Sequence, residues 1–284
     1  MNVFHGIAAG TAAAAGLCLL RSEYEKNQLS TEMFEIRSPK IRGEGKTLVF
    51  LSDLHSKEFG DNNRRLIEAV RQAAPDAILA GGDMMISRNG ADVSVPLRLL
   101  KELSGIAPVY CGEGNHESRM KWKPEVYGDL YTRYREAAEH TGAVWLADSH
   151  ADLGTDLTIY GLRLAESLYR PGYPEMDHAY VARHLGKPDP DRFSVLLAHS
   201  PMFFENYEAW GADLTLAGHF HGGTIRLPVL GGVMTPQYQF FYPRCAGAFE
   251  KNGRRMIVSR GLGTHSINIR LWNKPQVVVV KILK

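Results

Sequence analysis

The chain has 284 residues, 44% of them hydrophobic and 23% charged, with 33 Lys and Arg set against 31 Asp and Glu. Such a composition supplies a core for one large domain or two small ones and excludes global disorder. A net charge of +2 without a long basic run argues against a groove for a polyanion, so nucleic acid is not an expected partner.

Residues 1–22 stand apart from the rest. The stretch from Val3 to Leu20 is almost uncharged, rich in Ala and Gly, and ends at Arg21. A helix of about 18 residues barely spans a bilayer. No Lys or Arg precedes it, which disfavours a cleaved signal peptide, whereas Arg21, Lys26, Arg37, Lys40 and Arg42 all follow. The segment reads as a candidate membrane anchor, with a removed signal and a soluble N-terminal helix as alternatives. If it spans, the positive-inside rule leaves the rest of a membrane-associated chain in the cytoplasm.

Residues 45–284 show no repeat and no linker and read as one domain. Apolar runs at 48–51, 77–80, 195–197 and 214–217 are predicted strands, as are 108–111, 143–146, 157–160, 256–259 and 276–283. Residues 62–74 place Leu66, Ile67, Val70 and Ala73 on one helical face, with Asp61 as N-cap and Pro75 as stop. Further helices are predicted over 96–103 and 127–140. Early strand-helix-strand units followed by a strand-rich half suggest two packed sheets with helices outside. Cys18, Cys111 and Cys245 lie far apart and form neither a CxxC pair nor a disulfide framework; the last two read as core thiols.

Five polar islands carry the chemistry: Asp53-Leu54-His55, Gly82-Asp83, Gly114-Asn115-His116-Glu117, Ala198-His199-Ser200 and Gly218-His219-Phe220-His221. Four of them follow apolar runs, and open α/β sheets place their ligands beyond the C-terminal ends of such strands. Asp53 and His55 would share one side of an extended segment and reach one cation. Asp83, turning out of two glycines, has two oxygens and could bridge two cations. Asn115 offers a neutral amide oxygen, and His199, His219 and His221 add three imidazoles. Each pair alone is more often a surface or hydrogen-bonded feature; their joint occurrence at successive strand ends carries the metal reading. Two cations about 4 Å apart would clamp a phosphoryl group and acidify a water. The Asp/Asn/His donor set suits Mn, Fe or Zn.

The order of these islands resembles the calcineurin-like metallophosphoesterase superfamily, whose pattern is DxH, GD, GNH followed by an acid, H, and GHxH. The chain is most similar to a bacterial membrane-anchored, phosphodiesterase-type subgroup. That likeness rests on Leu51-Ser52-Asp53-Leu54-His55, Gly222-Gly223-Thr224-Ile225-Arg226-Leu227-Pro228 and Ser259-Arg260-Gly261-Leu262-Gly263. The resemblance implies an α/β four-layer α-β-β-α sandwich, two mixed sheets flanked by helices. It implies that Asp53, His55, Asp83 and His221 hold one divalent or trivalent ion, and Asp83, Asn115, His199 and His219 the second. It further implies that His116 is catalytic, contacting the phosphoryl oxygen or protonating the leaving group, and that Glu117 supports the ligands rather than binding metal, with orientation of His116 as one way of doing so. Cys111-Gly112-Glu113 departs from the family pattern; Glu113 reads either as a support for the ligands or, more simply, as an exposed turn carboxylate.

The function implied is hydrolysis of a phosphodiester or pyrophosphate by a dinuclear-metal-activated hydroxide. A phosphomonoesterase or protein phosphatase would use the same residues, and a non-catalytic metal-binding scaffold would be expected to have lost some of them. Tyr169, Pro171, Tyr173, Pro174 and residues 236–243 supply aromatic loops. These either line a pocket for a lipid or nucleotide-lipid substrate or pack as core and hairpin.

Overall fold

The computed structural model describes residues 2–88, 90–264 and 267–284. A helix α1 (Asn2–Lys26) precedes β1 (Ser30–Arg37) and β2 (Lys46–Leu51). Helix and strand then alternate through α2 (Arg64–Gln72), β3 (Ala77–Ala80), α3 (Ser94–Ser104), β4 (Val109–Cys111), α4 (Asn115–Trp122), α5 (Pro124–Tyr127), α6 (Leu130–Glu139) and β5 (Val144–Trp145). The second half begins with β6 (Ser149–Leu153), β7 (Leu157–Leu162), α7 (Tyr180–Leu185), β8 (Phe193–Ala198), α8 (Phe204–Trp210) and β9 (Leu214–Ala217). It ends with a short hairpin of β10 (Arg226–Leu227) and β11 (Gly231–Gly232), then β12 (Gly247–Lys251), β13 (Arg254–Val258) and β14 (Gln276–Leu283).

The longer strands form two six-stranded mixed sheets, ordered β1-β14-β2-β3-β4-β5 and β12-β13-β9-β8-β7-β6. Successive side chains of a strand point to opposite faces, so an uninterrupted apolar run needs cover on both. In β2, Leu48 and Phe50 pack between the sheets against Ile159, Val195 and Leu216. Val49 and Leu51 face outward onto Leu66, Val70, Leu99 and Tyr134 of α2, α3 and α6. The second sheet buries its outer face, including Leu196 and Ala198, under Val181 of α7 and Tyr207 of α8. The expected α-β-β-α sandwich is what the chain builds. Cys111 and Cys245 are buried, and burial pushes both thiols up to about 12, as suits core residues.

Local differences from the sequence reading have identifiable causes. Asn62 and Asn63 take left-handed φ of 51° and 61°, so α2 starts at Arg64, and Asp61 is not its cap. Asn63 instead accepts the Phe59 N–H at 2.9 Å. The helix expected over 127–140 breaks at Gly128, whose φ of 57° separates α5 from α6. β1 precedes the residue-45 boundary read from the sequence, yet it pairs in parallel with β14 from Ser30 to Arg37.

No helix among the described residues is long and apolar enough to cross a membrane. Residues 10–21 of α1 are exposed, and its last turn seats on the body of the protein, where Ser22, Glu25 and Lys26 are buried.

Candidate metal centre

Strands β2, β3 and β4 are mutually parallel, as are β7, β8 and β9 in the other sheet. Their C-terminal ends converge on one edge of the sandwich. There Asp53, His55, Asp83, His219 and His221 all leave their strands with left-handed φ, between 48° and 66°. Non-glycine residues rarely adopt this region, and each costs on the order of 1–3 kcal/mol. The extended geometry expected for Asp53 and His55 is therefore wrong, and His219 and His221 are not extended either. Tight turns, not alternation along a strand, aim each pair inward. Gly82 and Gly114 permit the closest approach, since a Cβ on Gly82 would collide with the Gly114 amide and one on Gly114 with the Asp83 carboxylate.

All seven expected ligands and His116 meet here. The donor atoms of Asp53, His55 and His221 lie within 4.8 Å of one another, as do those of Asp83, His199 and His219 and those of His55, Asp83 and His116. His55 Nε2 is 3.1 Å from His221 Nε2, which is 3.5 Å from Asp53 Oδ1. His199 Nε2 lies 3.2 Å from Asp83 Oδ2 and 3.6 Å from Asp53 Oδ1. Yet His219 Nε2 and Asn115 Oδ1 are buried and make no hydrogen bond. Orphaned buried polar atoms of this kind are costly unless an ion or another group engages them. The donor chemistry, carboxylate with imidazole and one amide oxygen, fits transition metals.

Electrostatics divide the imidazoles: two are held neutral, whereas His199 is held protonated by its carboxylate neighbours and would have to give up that proton to an ion. Burial disfavours a charged His199, but Asp83 and Asp53 outweigh it and push its pKa up to about 10. Burial and then the neighbouring His221 hold His55 well below the usual imidazole range; burial and then His199 do the same to His219. Burial acts against the Asp83 carboxylate, but His199 and His116 hold it well below the usual range. A cluster that keeps two imidazoles neutral beside ionised carboxylates is suited to metal binding, which needs deprotonated ligands.

Backbone amides aim the side chains. His116 N–H donates to Asp83 Oδ1 at 2.8 Å, and His219 N–H donates to Asp53 Oδ1 at 3.0 Å. His199 Nδ1 lies 2.8 Å from Gly81 O, an acceptor only, so the proton sits on Nδ1 and Nε2 faces the cluster. For His116 the tautomer is reversed. Ser87 N–H donates to its Nδ1 at 2.9 Å, which puts the neutral ring's proton on Nε2. Glu117 does not orient the His116 ring as expected. Its carboxylate accepts the amides of Asp83, Met84 and Gly114 at 2.8, 2.9 and 3.0 Å, tying two islands together. Burial and the adjacent Asp83 carboxylate push Glu117 up to about 7.

Glu113 is buried, which overturns the reading of an exposed turn carboxylate. It accepts from Arg163 Nε at 2.6 Å and Nη2 at 2.9 Å, from Tyr131 at 2.5 Å and from Trp145 at 2.8 Å. Arg163 follows β7 in the other sheet, so this ion pair clamps the sheets beside Gly114. Glu113→Ala should lower the unfolding free energy by about 2–3 kcal/mol, because it strands the buried Tyr131 and Trp145 donors and removes the carboxylate from a half-buried guanidinium that keeps Asp148 nearby. Urea midpoints at constant slope measure this, and a loss below ~1 kcal/mol, typical of a surface pair, would refute the clamp.

Above the cluster is a cavity whose floor includes His55, Asp83, Asn115 and His116 and whose walls include Met234, Tyr238, Ile267 and Ile269. The aromatic loops do not pack as core: Tyr173 is 70% exposed, Tyr238 66% and Phe240 62%. Tyr169 is the exception, its ring edge-on to His219 with centroids 5.1 Å apart. Sequence reasoning missed Ser87, Arg270 and Asn273. Of these only Arg270 left a trace, as a lone cation between Ile269 and Leu271.

The family model described as calcineurin-like phosphoesterase matches residues 46–223. The chain is 27% identical to the metallophosphoesterase YkuE of Bacillus subtilis (strain 168) over 98% of this chain and 94% of that one. It is 26% identical to the phosphodiesterase YaeI of Escherichia coli (strain K12), over 83% of this chain and 82% of that one. A crystal structure of TT1561 from Thermus thermophilus superposes with a TM-score of 0.48 at 13% identity, over 77% of this chain and 90% of that one.

Proposed function

The chain belongs to the calcineurin-like phosphoesterase family and is a phosphoester hydrolase; from that premise we propose that it cleaves a phosphodiester or pyrophosphate at a two-ion centre. The observation that carries the proposal is the convergence of Asp83, His199 and His219 on one point, with the buried Asn115 Oδ1 and His219 Nε2 beside them making no hydrogen bond. Asp53, His55, Asp83 and His221 would hold one ion, and Asp83, Asn115, His199 and His219 the other. Bound ions of Mn, Fe or Zn would supply Lewis acidity and an activated hydroxide. His116 is the catalytic residue of this reading. Its Nε2–H would donate to a phosphoryl oxygen or to the departing oxygen, while Ser87 fixes the ring.

Residues 45–284 form the catalytic domain in this reading, and the apolar segment 1–22 associates with a membrane. A cavity whose lining includes Met234, Pro236, Tyr238, Ile267 and Ile269 beside the polar cluster supports a substrate with an apolar portion, such as a phospholipid headgroup or a nucleotide-linked glycolipid. Protein reconstituted with Mn or Zn should release p-nitrophenol from bis-p-nitrophenyl phosphate faster than from the monoester, and chelation should stop both. Release from the monoester alone would make the protein a phosphomonoesterase and sink the diester reading.

A further inference from the structure

We infer that the last turn of helix α1, acting through Glu25, Arg270 and Asn273, positions the ligands of one proposed ion, that of Asp53, His55 and His221, more directly than those of the other. Glu25 is buried at the root of the helix; its Oε1 accepts from Arg21 at 2.7 Å and its Oε2 accepts the Asn273 N–H at 2.9 Å. Ser22 Oγ, one turn earlier, accepts the Arg270 N–H at 2.9 Å. The helix thus holds both ends of the segment from Arg270 to Asn273, which lies some 250 residues away in sequence.

That segment in turn holds two islands. The buried amide of Asn273 donates to His221 O at 2.7 Å and Thr224 O at 3.1 Å, fixing the turn that carries His221. Arg270, wholly buried, donates through Nη2 to the carbonyls of Arg260, Gly261 and Gly263 at 2.9, 3.2 and 2.6 Å. The loop it grips donates Gly263 N–H to Asp53 O at 2.6 Å and Leu262 N–H to Ser52 O at 3.0 Å. It lies so close that a Cβ on Gly261 would sit 2.9 Å from Asp53 Cβ and 3.3 Å from His221 Nδ1. The other ion's ligands have additional holds of their own: His199 Nδ1 is fixed by Gly81 O and Asp83 by the His116 amide, while the His219 amide on Asp53 Oδ1 links the two halves. One half of the centre is therefore wired to a helix whose outer residues, 10–21, are exposed. Glu25, Arg270 and Asn273 are positioning residues, since none of them offers a donor atom to either ion.

The inference rests on the two-ion reading and is tested with full-length protein carrying Glu25→Ala, Glu25→Gln or Asn273→Ala. Mn²⁺ binding is followed by calorimetry, bound metal by elemental analysis, and folding by circular dichroism. Wild type should take up two ions. Glu25→Ala and Asn273→Ala should weaken one ion about 10- to 100-fold, as loss of a ligand's supporting bond does, and weaken the second by less. Glu25→Gln keeps an acceptor oxygen and should restore most of the loss, which general destabilisation would not allow. Wild type binding a single ion would sink the two-ion reading and this inference with it. Wild type binding two, with both weakened alike or neither weakened in the Ala variants, would overturn the inference alone.

Discussion

Asp83→Asn is expected to lower kcat/KM toward a phosphodiester by about a thousandfold or more while leaving the protein folded. The ions would supply several kcal/mol of charge stabilisation, and roughly 4 kcal/mol corresponds to that factor. Asp83 is the one carboxylate assigned to both proposed ions. Its Oδ1 already accepts the His116 amide at 2.8 Å and its Oδ2 faces His199 at 3.2 Å. An amide would present one oxygen and one N–H₂ to this buried corner, removing a negative charge and turning a donor group toward the cations. Elemental analysis should then find fewer than two ions per chain, with an unchanged far-ultraviolet spectrum. Wild-type turnover in the purified variant would remove the two-ion model.

The second large effect belongs to His116. His116→Ala should reduce kcat by about 10²- to 10⁴-fold, the usual range for a positioned proton donor, with both ions still bound. The distinction comes from the tautomer: Ser87 N–H occupies Nδ1, leaving Nε2 as a donor 4.0 Å from Asp83 Oδ2. A donor that protonates the departing oxygen matters less when that oxygen leaves easily. The loss should therefore be smaller for a p-nitrophenyl ester than for an alkyl ester. An equal loss on both would assign His116 to the phosphoryl oxygens instead, and a parallel loss of metal would show that it is a ligand.

The legible part of this protein was its repeating local grammar. Apolar runs such as 48–51 and 214–217 can only be strands covered on both faces, and β2 and β9 contain them. The islands that follow these runs were equally readable, because a strand's end fixes where the next polar side chain is delivered. Asp53, His55, Asp83, Asn115, His199, His219 and His221 all reach one edge. The illegible part depended on partners distant in the chain. Glu113 looked like a turn carboxylate because nothing near it in sequence signals Arg163, which meets it across the sheets. Glu117 looked like a support for its neighbour His116, yet its oxygens were claimed by the amides of another island.

By itself, then, the sequence determined the layers of the sandwich and the identity of the polar groups at its edge, since both follow from side-chain chemistry repeated at short range. Only the tertiary structure decided how those groups are aimed. Left-handed turns at Asp53 and His221, the Ser87 amide on His116, and the hold of Glu25 on Asn273 are contacts between segments 29 to 248 residues apart, or strained conformations that only such contacts sustain.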